Sequence, residues 1–337
     1  MIERAIRIVE AGGDLSMEQM VEAIGQIMEG GAAEEAIARL LVALHRKGET
    51  VAEVAGAAAA LRRRMTPIRS TRAGLIDIVG TGGDGSNTFN ISTAAALVTA
   101  AAGVPVAKHG NRGMTSRSGS ADVLAALGVN VEADVACVEA CLDQLGICFC
   151  FAPLLHRAMK HVSAVRQKIG TPTIFNILGP LANPASAPFQ LLGVGRAELQ
   201  PLMAEALLLL GTHRVLVVHG TDGLDEVTLA GATYVYEAAD GVLRQFDWQP
   251  SDFGLEPAGR ETMLVSGPAE SAEIIRGILR GRRGPPRDIV VANAAAAIWT
   301  AGRSATLAEC ARLTAEAIDS GAAQTVLTKL VKQTNRG

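Results

Sequence analysis

Asp225 and Glu226 stand side by side in HGTDGLDEVT (219–228), just after the apolar run RVLVV. Paired carboxylates suit Mg2+, which takes carboxylate, phosphate and water oxygens. Alone, such a pair is ordinary surface charge; its weight comes from its company. DIVGTGGDGSNTFNIST (77–93) brings Gly80, Gly82 and Gly83 together, so successive N–H groups can converge on one point as an anion-binding concavity. Asn90 and Ser92 stand where a helix should begin, which adds free donors and partial positive charge. Both features suit phosphate oxygens. The stretch contains no Gly-Lys-Ser/Thr, so it is not a P-loop.

A second loop, KHGNRGMTSRSGSAD (108–122), follows the strand-like VPVA. Lys108, Arg112 and Arg117 supply positive charge, and Thr115, Ser116, Ser118 and Ser120 supply hydroxyls. Gly110, Gly113 and Gly119 permit close backbone approach. One basic loop is an ordinary solvated surface; two phosphate-type loops at the ends of neighbouring strands are harder to explain that way. Farther on, HRAMKHVSAVRQKIGTPTIFNILGPLANP (156–184) carries Arg166 on a helical run, with His156, Lys160 and Lys168 nearby in sequence. Arginine offers a planar fork matched to a carboxylate. The turn through Gly179, Pro180 and Pro184 can wall one side of a pocket. Lys160 and His161 read as surface residues, and His45 and His213 show no functional signal.

These loops need a frame. The first 65 or so residues read as helices only. Ser16 with Gln19 and Thr50 with Glu53 make capping boxes, and Ile37, Leu40, Leu41 and Leu44 mark a helix between them, closed by Lys47 and Gly48. TPIRSTRAG (66–74) breaks the pattern and reads as a hinge. Beyond it, LIDIV, VPVAKHG, GICFCFA, FQLLGVG, HRVLVVHG and DIVVANAAAAIW read as strands, several of them separated by helices. That order implies parallel strands with function at their carboxyl edge. Hydrophobic residues make up 49% but aromatics only 3%, so Ala, Val, Ile and Leu must fill the core. The expected fold is α/β: a small all-helical N-terminal domain beside a large domain whose central, mostly parallel sheet is flanked by helices. The expected division is residues 1–70 and 71–337, with a helical segment at about 156–180 joining the first.

The net charge of −3 supplies no basic field for nucleic acid. No signal-peptide core opens the chain, and Ile91–Ala107, the most apolar stretch, is broken by Gly103 and Pro105, so neither secretion nor a membrane span is expected. Cys137, Cys141, Cys148, Cys150 and Cys310 are odd in number and read as reduced thiols of a cytoplasmic protein. The spacing of Cys137 with Cys141, and of Cys148 with Cys150, allows a shared face and hence a metal site. No Cys-x2-Cys or histidine pair accompanies them, which favours small apolar fillers.

GTGGD (80–84), NIST (90–93), KHGNR (108–112), SGSAD (118–122), HVSAVRQKIG with TIFNILGPLANP, and GLDE (223–226) occur in order. Together they resemble the anthranilate phosphoribosyltransferases of tryptophan biosynthesis, closely over about 70–230. The resemblance implies that phosphoribosyl pyrophosphate meets Gly80, Gly82, Gly83, Asp84, Thr88, Asn90, Ile91, Ser92, Thr93, Lys108, Gly110, Asn111, Arg112, Gly113, Thr115, Ser116 and Ser120. It implies a pair of Mg2+ ions on Ser92, Asp225 and Glu226, and a catalytic part for Lys108, Asp225 and Glu226. Gly80, His109, Asn111, His156, Arg166 and Pro180 would line the anthranilate route, with Arg166 meeting its carboxylate. It also implies a helical domain packed beside an α/β domain whose mostly parallel sheet is mixed, and a homodimer, and no fused glutamine amidotransferase is expected. Arg157, Pro172 and the run Gly113-Met114-Thr115 depart from the family's usual residues, in the region of the anthranilate channel. Two rival readings share the architecture: a pyrimidine nucleoside phosphorylase, needing no Asp-Glu pair, and a non-catalytic nucleic-acid-binding relative, needing a basic groove.

Overall fold

Ser16 and Thr50 open helices as their spacing predicts. Each side chain accepts the backbone N–H three residues on, and Gln19 or Glu53 returns a bond to the cap. In the computed structural model, which describes residues 1–113 and 119–336, these caps head α2 (Met17–Met28) and α4 (Val51–Arg62). α1 (Ile2–Glu10) and α3 (Glu34–Lys47) complete the bundle. α1 is a helix more than the sequence reading has. Its Ile2, Ala5, Ile6 and Val9 form a buried i, i+3, i+4, i+7 stripe.

The remainder is built on β1 (Ile76–Gly80), β2 (Val106–Gly110), β3 (Ile147–Phe151), β4 (Phe189–Gly193), β5 (Arg214–Gly220), β6 (Thr233–Ala239) and β7 (Val242–Trp248). They form one sheet in the order β3-β2-β1-β4-β5-β6-β7. β1 to β5 are parallel, and β6 and β7 are antiparallel, so the sheet is mixed as expected. The helices are α5 (Ile91–Ala101), α6 (Ser120–Ala126), α7 (Val135–Leu145), α8 (Ala152–Leu155), α9 (Lys160–Ile169), α10 (Phe175–Leu178) and α11 (Leu199–Leu209). α12 (Pro268–Leu279), α13 (Pro285–Thr300), α14 (Leu307–Asp319) and α15 (Ala322–Thr334) follow. Two apolar cores lie on opposite faces of the sheet. Along β5, Leu216 and Val218 join the core that holds α5 and α12 to α15, while Val215 and Val217 join the one that holds the N-terminal bundle, α9 and α11.

One expectation is corrected. DIVVANAAAAIW is not a strand but the body of α13, buried on nearly every side. Alanine, the best helix former, decides a continuous apolar run in favour of helix. The N-terminal bundle also leaves less apolar excess than a lone helical layer would: Met20, Ile24 and Leu41 are fully buried within the chain. α4, α9 and α11 share their core. The expected hinge is irregular but tied down. Thr66 N–H donates to Leu155 O (2.8 Å), Ile68 N–H to Pro184 O (3.0 Å), and Ser70 Oγ to Asp143 (2.6 Å). Among the described residues no helix is long and apolar enough to cross a membrane, and Cys141, Cys148, Cys150 and Cys310 are buried free thiols.

Candidate active site

β1 leads into α5 on one face of the sheet and β4 into α11 on the other, so the strand order reverses between them. Such a switch point leaves a crevice at the carboxyl ends of the strands, where ligands of open α/β sheets bind. The glycine loop leaves β1 there. Gly82 (φ 67°), Gly83 (φ 78°) and Gly85 (φ 67°) take the left-handed conformation that suits glycine. The loop's far end is held by a backbone bond from Phe89 N–H to Met263 O at 2.7 Å. Asn90 then caps α5, its Oδ1 accepting Thr93 N–H at 3.0 Å.

Asp225 and Glu226 arrive on the loop after β5 and meet this assembly directly. Gly82 N–H donates to Asp225 Oδ2 (2.9 Å), and Ser92 N–H, in the first turn of α5, donates to Glu226 Oε1 (3.1 Å). The approach is so close that a Cβ on Gly80 would lie 2.4 Å from Asp225 Oδ2, and one on Gly193 only 1.7 Å from Asp225 O. A Cβ on Gly195 would reach Asp84 Cα at 3.0 Å. Asn293, inside α13, fixes the loop from behind: its amide donates to Val227 O and its Oδ1 accepts Val227 N–H, both at 2.9 Å.

Lys108 is buried between these groups, donating to Ile78 O (2.6 Å) and Ser92 Oγ (3.1 Å). Burial pulls its pKa down, opposed by the charges of Asp77, Glu226 and Asp225. The carboxylates are crowded in turn. Desolvation and then the charge of Asp84 push Asp225 up to about 7, and desolvation and Asp225 push Glu226 well above its ordinary range. Asp84 Oδ2 is itself buried without a partner. Crowded acids that resist ionising together, with the Ser92 hydroxyl in the same turn that meets Glu226, fit a hard divalent cation. Among the described residues no group of three or more His, Cys, Asp or Glu is gathered to hold an ion. The pair therefore needs further oxygens, and phosphate is the natural source.

Lys108 and His109 are consecutive on β2, so they project to opposite faces. Lys108 turns to α5, whereas His109 Nδ1 meets Gly179 O at 3.0 Å, in the turn that carries the buried Pro180. The His156 ring lies 5.0 Å away, centroid to centroid. Burial holds both imidazoles neutral, His109 pushed down to about 3 and His156 to about 4. Arg166, on α9, is half-buried; its Nη2 donates to Asn176 Oδ1 (3.2 Å) and its guanidinium lies over the Phe175 ring at 5.8 Å.

The second loop is more self-contained than the glycine loop. Arg112 is exposed and paired with Asp122 (3.2 Å) and Glu132 (3.1 Å), Gly113 N–H donates to Asp122 Oδ2 (2.8 Å), and Ser120 Oγ donates to Asn111 O (3.3 Å). Gly110 is required there, since a Cβ would lie 2.2 Å from Ser120 Oγ. Thr115 and Ser116 lie outside the described residues. Thr88 sits beside Ser86, hydroxyl to hydroxyl at 3.2 Å, and Ile91 and Thr93 are buried in the first turn of α5. Arg157 and Pro172 are both exposed. The sequence reading missed Asp77, Gly193, Gly195 and Asn293; the GVG run and the lone Asn within an alanine-rich segment were the available signals.

The architecture and its crevice are those of a glycosyl transferase. Residues 3–65 match the helical bundle domain of one glycosyl transferase family, and residues 72–324 match that family's a/b domain. The anthranilate phosphoribosyltransferase of Rhodospirillum rubrum is 52% identical over 98% of this chain and 95% of its own. The crystal structure of the Thermus thermophilus enzyme superposes with a TM-score of 0.93 at 43% identity, covering 98% of this chain and 99% of that one. The Saccharomyces cerevisiae enzyme in complex with phosphoribosyl pyrophosphate and Mg gives 0.89 at 30% identity, over 99% and 97%. The chain belongs to the anthranilate phosphoribosyltransferase family.

Proposed function

We propose that this enzyme transfers the 5-phosphoribosyl group from phosphoribosyl pyrophosphate to the amine of anthranilate, releasing pyrophosphate, as a step of tryptophan biosynthesis. The observation that carries this reading is the meeting of the carboxylate pair with the glycine loop and the α5 N-terminus, through Gly82 N–H and Ser92 N–H. It gathers backbone donors, a helix end, a buried lysine and cation-binding oxygens in one crevice, as a pyrophosphate requires. Ser92, Asp225 and Glu226 would hold a pair of Mg2+ ions. When bound, Mg2+ neutralises charge on the departing oxygens.

The protein's own groups do the rest. Lys108 and the loop N–H groups stabilise the charge that grows on pyrophosphate as it leaves C1 of the ribose. The ribose becomes oxocarbenium-like, as in other glycosyl transfers. An aromatic amine is a weak nucleophile, so leaving-group stabilisation and alignment carry most of the rate. Arg166 aligns the acceptor by its ortho-carboxylate, on the opposite face of the sheet from Lys108. A homodimer, implied by the resemblance, belongs to the same reading, and a monomeric mass by light scattering at micromolar concentration would remove it.

The test is to mix the enzyme, Mg2+, phosphoribosyl pyrophosphate and anthranilate and to follow the loss of anthranilate fluorescence. No loss, with phosphorolysis of a pyrimidine nucleoside by inorganic phosphate instead, would overturn the reading. Replacing Asp225 and Glu226 together by Ala should leave a folded protein whose rate no longer follows the wild-type Mg2+ titration. An unchanged titration would remove the metal assignment.

A further inference from the structure

The reaction as read above leaves one proton without a destination. When the acceptor nitrogen bonds to C1 it carries a positive charge and an extra hydrogen, and Lys108, already donating to Ile78 O and Ser92 Oγ, is not free to take it. The carboxylates of Asp225 and Glu226 lie with the glycine loop and α5, on the phosphate side. On the acceptor side, His109, His156 and Arg166 are the titratable groups gathered among the described residues, and a guanidinium stays protonated.

The two imidazoles share an unusual condition. His109 Nδ1 faces Gly179 O at 3.0 Å, and a carbonyl only accepts, so Nδ1 must carry the hydrogen. Nε2 is then a bare lone pair, buried and without a protein partner. His156 repeats part of the pattern: its Nε2 is also buried and unpartnered. Two rings whose centroids lie 5.0 Å apart, each with an orphaned Nε2 and in residues only 4% and 8% exposed, carry a standing cost that a ligand with N–H groups removes. An aromatic amine is such a ligand. Of the two rings, His109 is the one carried on β2, directly after Lys108 in the chain.

We infer that His109 is the catalytic proton acceptor of this enzyme, taking the amine proton on Nε2 while His156 packs beside it as a positioning residue. The inference rests on the phosphoribosyl-transfer reading above. In the step, the nitrogen lone pair forms the N–C1 bond. The C1–O bond to pyrophosphate breaks, and its electron pair leaves with the pyrophosphate. The proton displaced from nitrogen moves to His109 Nε2, and the imidazolium later returns it to water. The low basicity of the buried ring is no obstacle, because an N-alkylated aromatic ammonium is a far stronger acid than an aliphatic one. It also keeps the acceptor unprotonated at neutral pH.

His109→Gln tests this directly, since glutamine can still accept a hydrogen bond but cannot hold a proton. With both substrates saturating, its kcat should fall by about 10²- to 10⁴-fold with KM for anthranilate little changed. His109→Ala should be equally slow, and added imidazoles should rescue it at rates that rise with the basicity of the imidazole. Rescue that follows only the size of the added ring, or a His109→Gln variant within a few-fold of wild-type kcat, would overturn the inference. So would a larger loss in His156→Gln than in His109→Gln. Wild-type enzyme that consumes no anthranilate would instead sink the phosphoribosyl-transfer reading, so the two failures are distinguishable.

Discussion

Gly193 should be as intolerant of substitution as any ligand-binding residue, although it was not among the residues the sequence singled out. It ends β4 opposite Gly80 at the end of β1. Its φ is not in the left-handed region, so the demand is for space and not for conformation. A Cβ at 193 would stand 1.7 Å from Asp225 O and 2.5 Å from Asp225 C, both backbone atoms. Ordinary contact begins at 3.4 Å, so the loop must retreat by about 1.7 Å or β4 must give way. Either movement takes Asp225 Oδ2 away from Gly82 N–H, now at 2.9 Å. Overpacking of this kind costs about 1–3 kcal/mol, which a domain of this size survives with a melting point lowered by several degrees. Catalysis is less forgiving, since a displacement of about 1 Å at a reacting group can lower the rate about 10²-fold. In initial-rate titrations of Mg2+ at saturating substrates, Gly193→Ala should show a lower kcat and a half-saturating Mg2+ concentration raised about tenfold or more. Gly267→Ala, where a Cβ meets nothing within 4 Å and the backbone is extended, is the neutral control. A Gly193→Ala enzyme with the wild-type Mg2+ curve would refute the argument that this contact places Asp225.

Gly82 and Gly83 make the complementary case: nothing lies within 4 Å of either Cβ position, but both have positive φ. Alanine at either site costs roughly 1–2 kcal/mol locally, and calorimetry should show weakened phosphoribosyl pyrophosphate binding with the fold intact; unchanged affinity in both variants would reduce the loop to a plain turn. Arg166→Ala should raise KM for anthranilate about ten- to a hundredfold, the worth of a charge-assisted hydrogen bond, and leave KM for phosphoribosyl pyrophosphate nearly unchanged; the opposite pattern would move this arginine to the phosphate site. His156, held down to about 4, sits below the ordinary imidazole value of 6.5. Between those values the unfolded chain binds more protons, so its contribution to stability falls on acidification, by up to about 1.4 kcal/mol per pH unit. Asp77, raised to about 6, acts in the opposite sense over part of that range. The measurement is therefore a difference, and urea unfolding between pH 7 and 4 should be less acid-sensitive in His156→Gln than in wild type.

What the sequence made legible divides along a physical line. Ser16, Thr50 and Asn90 announce helices because a cap is a local transaction between a side chain and an N–H three residues away. Gly82 and Gly83 announce themselves because φ is a property of one residue. The alternation of strand and helix showed the parallel part of the sheet, but β6 and β7, the antiparallel strands that make it mixed, were not located in the sequence. The signal for β6 and β7 was present in TYVYEAADGVLRQFDW, where Asp240 and Gly241 both turn with positive φ between two strand-forming runs. α13 was misread because a continuous apolar run has no periodicity to separate helix from strand. That error hid Asn293, whose bonds to Val227 exist only once α13 is laid against the loop after β5.

The residues that escaped altogether are those whose role is a relation between distant segments. Gly193 and Asp225 are joined by a close approach across the end of the sheet, and Asp77 reaches the N–H of His109 at 3.0 Å only because β1 and β2 are neighbours. β1 and β2 share a single paired position, Ile76 with Val106, whereas β1 and β4 pair along their whole length. Beyond that position, side chains take up the backbone groups that a ladder would otherwise use: Asp77 accepts His109 N–H, and Lys108 donates to Ile78 O. The opening between these strands therefore holds Lys108 on one face and His109 on the other at a fixed separation along one strand. A buried carboxylate inside a sheet is costly unless it is hydrogen-bonded, and here the bond it makes sets the register of the two residues proposed to serve different substrates. Placement of the chemistry thus depends on Asp77 as much as on the loops, and nothing in the run LIDIV distinguishes that aspartate from a surface residue until the neighbouring strand is in place.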